Sequence, residues 1–515
     1  MTPKVNPQKT KRLPIEIMDT TLRDGEQCEG ISMIPEEKLM IATQLLKKAK
    51  VDRVEITSAK ASEGEQRGLK EIVRWARNEK MLDRIEVLGF ADGGGSVQWV
   101  HDTGARVINL LTKGSEKHCR EQLRQTLEQH MSGIARTVEQ GLERKIRFNV
   151  YLEDWSSGML DSPDYVWAYL EALENIAVNK IMLCDTLGVL NPGQVGKFVG
   201  EIVQAYPERH VDFHGHNDYG LATANTLAAI EAGAHGVHVT VNGLGERAGN
   251  TPLDEVVVGL RDHLNLKTNV KEKSLKDVSR LVEVFSGRRI SANKPITGEN
   301  VFTQTAGIHA DGDMKGDLYA SRLSPARFGQ ARRYSMGKLM GKASLEMNLA
   351  KLNIKLDREQ FKTVMDRIIE LSDQKKNVTP ADLPFLISDV LQMPENRVFE
   401  VKDYSIHSSR SLPPTATIRV VWKGEDYDST ATGDGGYDAF MKALKSIEPT
   451  MGANIPKLLD YEVHIPPGGK TDALVETTIT WEGGMKTRGV DTDQLAAAIE
   501  ATVNAVNLVA MEAKK

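Results

Sequence analysis

Cysteine is scarce: Cys28, Cys119 and Cys184 are the only three in 515 residues, and they have neither metal-type spacing nor the density of a disulfide framework. That excludes the small stapled folds of secreted proteins. Charge of one sign is also lacking. With 66 basic against 71 acidic residues the net charge is -5, which argues against a nucleic-acid partner or a polybasic membrane patch. The stretch Met1 to Leu13 is polar and basic but has no apolar core of a signal peptide, and no run reads as a membrane span, so the expected location is the cytoplasm. What is present is ordinary for a soluble globular protein, with 40% hydrophobic and 27% charged residues. The length allows two to four domains.

From Ile15 to about Leu264, short β-branched runs alternate with stretches of helical period. The strand candidates are Glu16 to Thr20, Arg53 to Thr57, Ile85 to Phe90, Val107 to Leu111, Ile146 to Leu152, Lys180 to Cys184, Val211 to His214 and Gly236 to Val241. Between them, Asn191-Pro192, Ser162-Pro163 and Pro35-Glu36-Glu37 read as helix starts. Eight such βα units in about 250 residues predict a closed (β/α)8 barrel rather than an open doubly wound sheet.

In such a barrel the chemistry sits at the C-terminal ends of the strands. The seventh candidate strand ends in His214-Gly215-His216-Asn217-Asp218, where two histidines at i and i+2 project to one side and can share a metal ion. Two polar residues merely ending a strand would look the same. Asp24, in Asp19-Thr20-Thr21-Leu22-Arg23-Asp24-Gly25-Glu26-Gln27 after the first strand, supplies a carboxylate ligand that the pair lacks. Arg23 beside it is always protonated and can meet an oxygen that gains negative charge. Glu55, Tyr151, Glu153, Asp185 and Thr186 fall at other strand ends.

These motifs, D-x-T-L-R-D-G-x-Q, H-x-H-N-D and Asn242-Gly243-Leu244-Gly245-Glu246-Arg247-Ala248-Gly249-Asn250, resemble the family of metal-dependent barrel enzymes that includes isopropylmalate, homocitrate and citramalate synthases. The segments Tyr151 to Ser156, Phe302 to Asp313 and Ile465 to Thr477 are more similar to the citramalate-synthase branch. The resemblance implies an acyltransferase that condenses acetyl-CoA with pyruvate and hydrolyses the thioester to (R)-citramalate, on the way to isoleucine. It implies a divalent ion (Mn, Mg or Zn) held by Asp24, His214, His216 and, more weakly, Asn250. Glu153 and His309 match the catalytic pair, with Asp311 and Tyr319 as supporting or proton-donating groups and Arg23 at the developing alkoxide. Thr186 would bind the substrate carboxylate, and Leu88, Leu111 and Tyr151 would line a short acceptor pocket. One departure is Asp317, where an amide is expected.

The expected domains are residues 14–290 as the catalytic barrel, 291–397 as linker subdomains that contribute to the active site, and 398–515 as an α+β regulatory unit. The stretch from Ser291 to Phe328, with Gly307-Ile308-His309-Ala310-Asp311-Gly312-Asp313, reads as a turn-rich functional loop. Glycine-rich turns at Gly435-Gly436 and Gly468-Gly469, with Leu474 and Val475, suggest an isoleucine site in a homodimer. The competing reading is 2-isopropylmalate synthase, with 3-methyl-2-oxobutanoate as acceptor. A retro-aldol lyase is disfavoured by the long C-terminal region and a biotin-dependent carboxyltransferase by the absence of a carrier segment. A non-enzymatic sensor would require loss of Arg23, Glu153 or His309.

Overall fold

The computed structural model describes residues 14–316, 318–351, 354–373, 383, 386–387, 398–465 and 475–512. Asp317, the Gly468-Gly469 turn and Leu474 lie outside them. All eight expected strands are present: β1 Glu16–Asp19, β2 Arg53–Ser58, β3 Ile85–Phe90, β4 Val107–Lys113, β5 Arg147–Glu153, β6 Lys180–Asp185, β7 His210–Gly215 and β8 Gly236–Val239. They pair in parallel and in sequence order, and β8 returns to β1 to close the barrel. Helix starts follow the expected chemistry. Asn191 caps Pro192–Ala205 by accepting from the Gln194 amide, and the Gln194 side chain accepts from the Asn191 N–H in return.

Successive residues on a strand face opposite sides. On β4, Ile108 and Leu110 therefore join the apolar shell between strands and helices, while Leu111 belongs to a separate cluster inside the barrel. The interior below that cluster is charged. Arg53 lies between Glu86 (3.1 Å), Glu16 (3.2 Å) and Asp212, and Lys180 approaches Glu16 at 2.6 Å. Burial alone would push the Asp212 carboxyl up, but Arg53 and the flanking histidines hold it well below the usual range.

The chain divides into two compact units, Met1–Phe302 with Ser321–Ala331, and Thr303–Ala320 with Arg332–Lys515. In the second unit, Gly307–Met314 is a helix and not the turn-rich loop expected from its glycines and aspartates. After the short parallel pair β9 Thr303–Gln304 and β10 Arg333–Tyr334, three antiparallel strands and a helix occur twice: β11 Phe399–His407, β12 Thr415–Trp422 and β13 Glu425–Thr432 before the helix Gly436–Met451, then β14 Leu458–His464, β15 Val475–Trp481 and β16 Lys486–Asp491 before Gln494–Glu512. Gly436 is thus a helix start and not part of an open turn. The 18-residue window Gln494–Met511 has mean hydropathy 1.3, so one run does reach spanning length, contrary to the sequence reading. Its buried Ala501 and Ala505 pack with Ile479 and Trp481 of β15, as in a core helix.

Breaking a buried ion pair from one side leaves uncompensated charge, at a cost of about 3–5 kcal/mol. Arg53→Ala strips Asp212 and Glu86 of their cation and is expected to destabilise the barrel by that amount. The check is urea denaturation followed by barrel tryptophan fluorescence; an unshifted midpoint would mean that the interior charges are solvated.

Candidate active site

Asp24, His214 and His216 are all buried, and their ligand atoms lie within 4.8 Å of one another. His214 Nε2 is 3.2 Å from His216 Nε2 and 3.4 Å from Asp24 Oδ2. Donors around one ion at 2.0–2.2 Å stand about 3 Å apart, so these spacings fit a shared ion. Asp24 Oδ1 and Asn250 Oδ1 are buried oxygens with no hydrogen-bond partner among the described residues. The electrostatics agree. Burial would raise the Asp24 carboxyl, but the Arg23 guanidinium beside it holds it well below the usual carboxylate range. Burial lowers both His214 and His216, against the pull of Asp24, which keeps the rings neutral with lone pairs to donate.

Asn250 reaches this cluster through a tight loop. It bridges to His216 across β7, and Gly249, at φ +90°, brings its backbone against the Gly243 carbonyl, where a Cβ would lie only 2.0 Å away. Only glycine fits that approach. Arg247 of the same loop bonds Asp218 (2.7 Å) and the Thr186 carbonyl (2.7 Å), tying together the segments after β6, β7 and β8.

Arg23 is held from three sides: Nε on Glu55 at 2.6 Å, Nη1 on Asp24 at 2.9 Å and Nη2 on the Tyr151 hydroxyl at 3.3 Å. Glu55 is fully buried and also accepts from Thr20 (2.8 Å) and Asn109 (2.8 Å). Of the five N–H donors of Arg23 these contacts take three and leave two for a ligand. Leu88, Leu111 and Tyr151 do come together, in one cluster with Met18, Phe90, Met182 and Cys184.

Glu153 ends β5, and its carboxylate bonds Lys113 at the end of β4. The next residue, Asp154, takes a left-handed conformation (φ 59°, ψ 28°) and its N–H donates to the Thr186 hydroxyl at 2.8 Å. That turn ends the strand and fixes where Glu153 projects. Thr186 uses its oxygen as acceptor there, and its own proton has no acceptor among the described residues. A cleft of about 440 Å³ opens beside Glu153, lined by Phe90, Leu111, Lys113, Gln129 and Arg136 among others.

His309, Asp311 and Tyr319 belong to the second unit. The rings of His309 and Tyr319 stand 4.3 Å apart, and Tyr319 lies over Gly312, where any side chain would strike its ring. Asp311 pairs with Lys315 (2.7 Å). Asp313, buried and paired with Arg332 at 2.6 Å, was not foreseen from the sequence. Nor were Lys113, Asn109, His238 or Asp212 in the barrel. For Lys113, Asn109 and Asp212 the signal was strand parity, since each shares the inward face with a residue already singled out, whereas nothing on β8 pointed to His238.

The chain matches known proteins over its length. The HMGL-like family model matches residues 14–282, more than half of it. The homocitrate synthase post-HMGL domain-like model matches 296–376 and the LeuA allosteric (dimerisation) domain 377–510. Two relatives from Methanocaldococcus jannaschii are similar at nearly equal levels: a 2-isopropylmalate synthase, 33% identical and covering 97% of this chain and 96% of its own, and an (R)-citramalate synthase, 31% identical and covering 96% and 99%.

If Asp24, His214 and His216 share an ion, adding Mn²⁺, Mg²⁺ or Zn²⁺ to chelated protein raises its thermal midpoint, with free ion at 100 times Kd worth about 2.7 kcal/mol. Asp24→Ala and His214→Ala are expected to erase the rise. A wild-type rise in Asp24→Ala, read by differential scanning calorimetry, would place the ion elsewhere.

Proposed function

Because this chain belongs to the HMGL-like family, we propose that it is an acyltransferase joining acetyl-CoA to pyruvate and hydrolysing the thioester, giving (R)-citramalate and CoA, on a route to isoleucine. The observation that carries the acceptor choice is the filled mouth of the barrel. Leu88, Leu111 and Tyr151, backed by Met182 and Cys184, leave bulk where a branched 2-oxo acid needs room. The similarity to both kinds of synthase in one organism makes 2-isopropylmalate synthase the second reading.

Asp24, His214, His216 and Asn250 would hold the divalent ion, which when bound supplies a Lewis acid for the acceptor ketone. The other steps fall to the chain's own residues. Glu153, partly exposed at the cleft and steadied by Lys113, removes a proton from the thioester methyl. The carbanion attacks the ketone carbon, and the two free N–H groups of Arg23 meet the alkoxide oxygen as its charge develops. Thr186, whose hydroxyl proton is unspent, donates to the acceptor carboxylate. The pantetheine arm follows the cleft along Gln129 and Arg136, where amide and guanidinium groups suit its amides and phosphates. His309, Asp311 and Tyr319 are proposed to assist proton transfer and thioester hydrolysis.

The second unit carries the match to the allosteric dimerisation domain, which supports a homodimer; isoleucine, as end product of the proposed route, is its proposed effector. Gly435, ahead of Gly436–Met451, offers a helix N-terminus for an amino-acid carboxylate, and Val475 is buried close to the start of β15.

The decisive measurement is thiol release from acetyl-CoA with pyruvate and with 3-methyl-2-oxobutanoate side by side. Pyruvate is expected to lead by about tenfold or more in kcat/KM, the range that overfilling a tight site gives. Preference for the branched acid would make the protein an isopropylmalate synthase. Glu153→Gln keeps the shape and removes the base, so turnover is expected to fall about a hundredfold or more with pyruvate still bound. Binding and turnover lost together would make Glu153 a structural residue.

A further inference from the structure

His238 is buried inside the barrel and is neither in the Asp24, His214 and His216 cluster nor the proposed base, although its ring stands edge-on to His214 with centroids 5.5 Å apart. Strand β8 turns Val237 and Val239 outward into the shell of apolar residues and His238 inward. Its ring stands edge-on to Tyr151, centroids 5.3 Å apart, and its two nitrogens have different partners. Nε2 lies 3.2 Å from Asp212 Oδ2, and Nδ1 lies 3.2 Å from the Tyr151 hydroxyl.

The proton positions follow from that asymmetry. Asp212 is fully buried and paired with Arg53, so it is a carboxylate and can only accept. His238 therefore donates from Nε2 to Asp212, which leaves Nδ1 facing Tyr151. Among the described residues the hydroxyl of Tyr151 is the polar group that Nδ1 meets. The oxygen of Tyr151 in turn accepts from Arg23 Nη2 at 3.3 Å. The hydroxyl itself donates to Glu55 Oε2 at 3.2 Å, an oxygen that also accepts from Arg23 Nε and Thr20. The Tyr151 hydroxyl is thus tied to Arg23, Glu55 and His238, and through His238 to Asp212.

We propose that His238 is a positioning residue: backed by Asp212, it fixes the Tyr151 hydroxyl and ring, and so sets both the aim of Arg23 and the apolar wall that selects a short acceptor. Without it the phenol could tilt, free its hydroxyl toward the acceptor and loosen the guanidinium it steadies. This rests on the acceptor-pocket reading of Leu88, Leu111 and Tyr151.

Three substitutions separate the roles. Tyr151→Phe removes the hydroxyl. His238→Gln keeps a donor within reach of Asp212 but places no polar atom at Nδ1, and His238→Asn puts an amide group near Nδ1. Tyr151→Phe and His238→Gln are each expected to raise KM for pyruvate about tenfold, with KM for acetyl-CoA within about twofold of wild type. His238→Asn recovers most of that loss, and the double variant is no worse than either single one, as for two residues acting as a unit. Losses that multiply, or a KM for acetyl-CoA that rises in step, overturn the proposal and leave His238 a structural residue. If His238→Gln does not fold, Tyr151→Phe and His238→Asn carry the same comparison. If wild-type protein releases no thiol with any 2-oxo acid, the acyltransferase reading fails instead. The pairing is then judged from thermal midpoints of the four proteins, where additive shifts reject it.

Discussion

The contact between Arg23 and Glu55 is the one on which the mouth of the barrel depends. A carboxylate as buried as Glu55 is tolerable only with a cation and with its remaining lone pairs satisfied. Arg23, Thr20 and Asn109 provide that between them. Once Glu55 has fixed the guanidinium, a second N–H falls on Asp24, whose carboxyl stays ionised despite burial. Arg23 against Glu55 and Asp24 leaves the site one negative charge in excess. A divalent ion and a monoanionic acid would bring that sum to zero, whereas either alone would not. The donor set therefore favours binding both together.

Much of this was legible in the sequence, because a closed barrel presents every second residue of each strand to its interior. Asp24, His214, His216 and Arg23 were found from their motifs, and strand identity was right for all eight. Apart from His238, the groups that were overlooked in the barrel follow from parity alone. Asp212 precedes His214 by two, Asn109 and Lys113 flank Leu111 by two, and Arg53 precedes Glu55 by two. Each lies on the face of a residue already recognised, yet none belongs to a motif, and a charged residue within a strand reads locally as a strand end. Its burial becomes plain only once the barrel has closed around it.

Beyond the barrel less was readable, for two different reasons. Strand β13, Glu425–Thr432, has no fully buried residue, so its polar sequence lacks the alternation that reveals β12, whose pattern changes side at nearly every step. The helix Gly307–Met314 fails for the opposite reason. Two glycines and two aspartates argue locally for a turn, but Gly307 is needed where its Cα faces Gly341 and Gly312 where Tyr319 covers it. Tertiary packing overrides propensity at both positions.

Acceptor choice can be separated from the chemistry because the reacting parts are common to all the candidate acids. Every 2-oxo acid carries the same carboxylate and ketone, so in the proposed site Arg23, Thr186 and an ion on Asp24, His214 and His216 would meet each of them alike. Discrimination would then be left to the apolar wall, where one methylene is worth about 0.8 kcal/mol when it fits and overpacking costs about 1–3 kcal/mol. The three wall residues are not equivalent in that task. Tyr151 bonds Arg23, Glu55 and His238, so shortening it would disturb the guanidinium proposed to meet the developing charge. Leu88 and Leu111 have no polar atoms to tie them to that network. On the proposed reading, a change of acceptor that preserves turnover would therefore be open through the two leucines on β3 and β4 and closed through the tyrosine on β5, which would serve the wall and the chemistry at once.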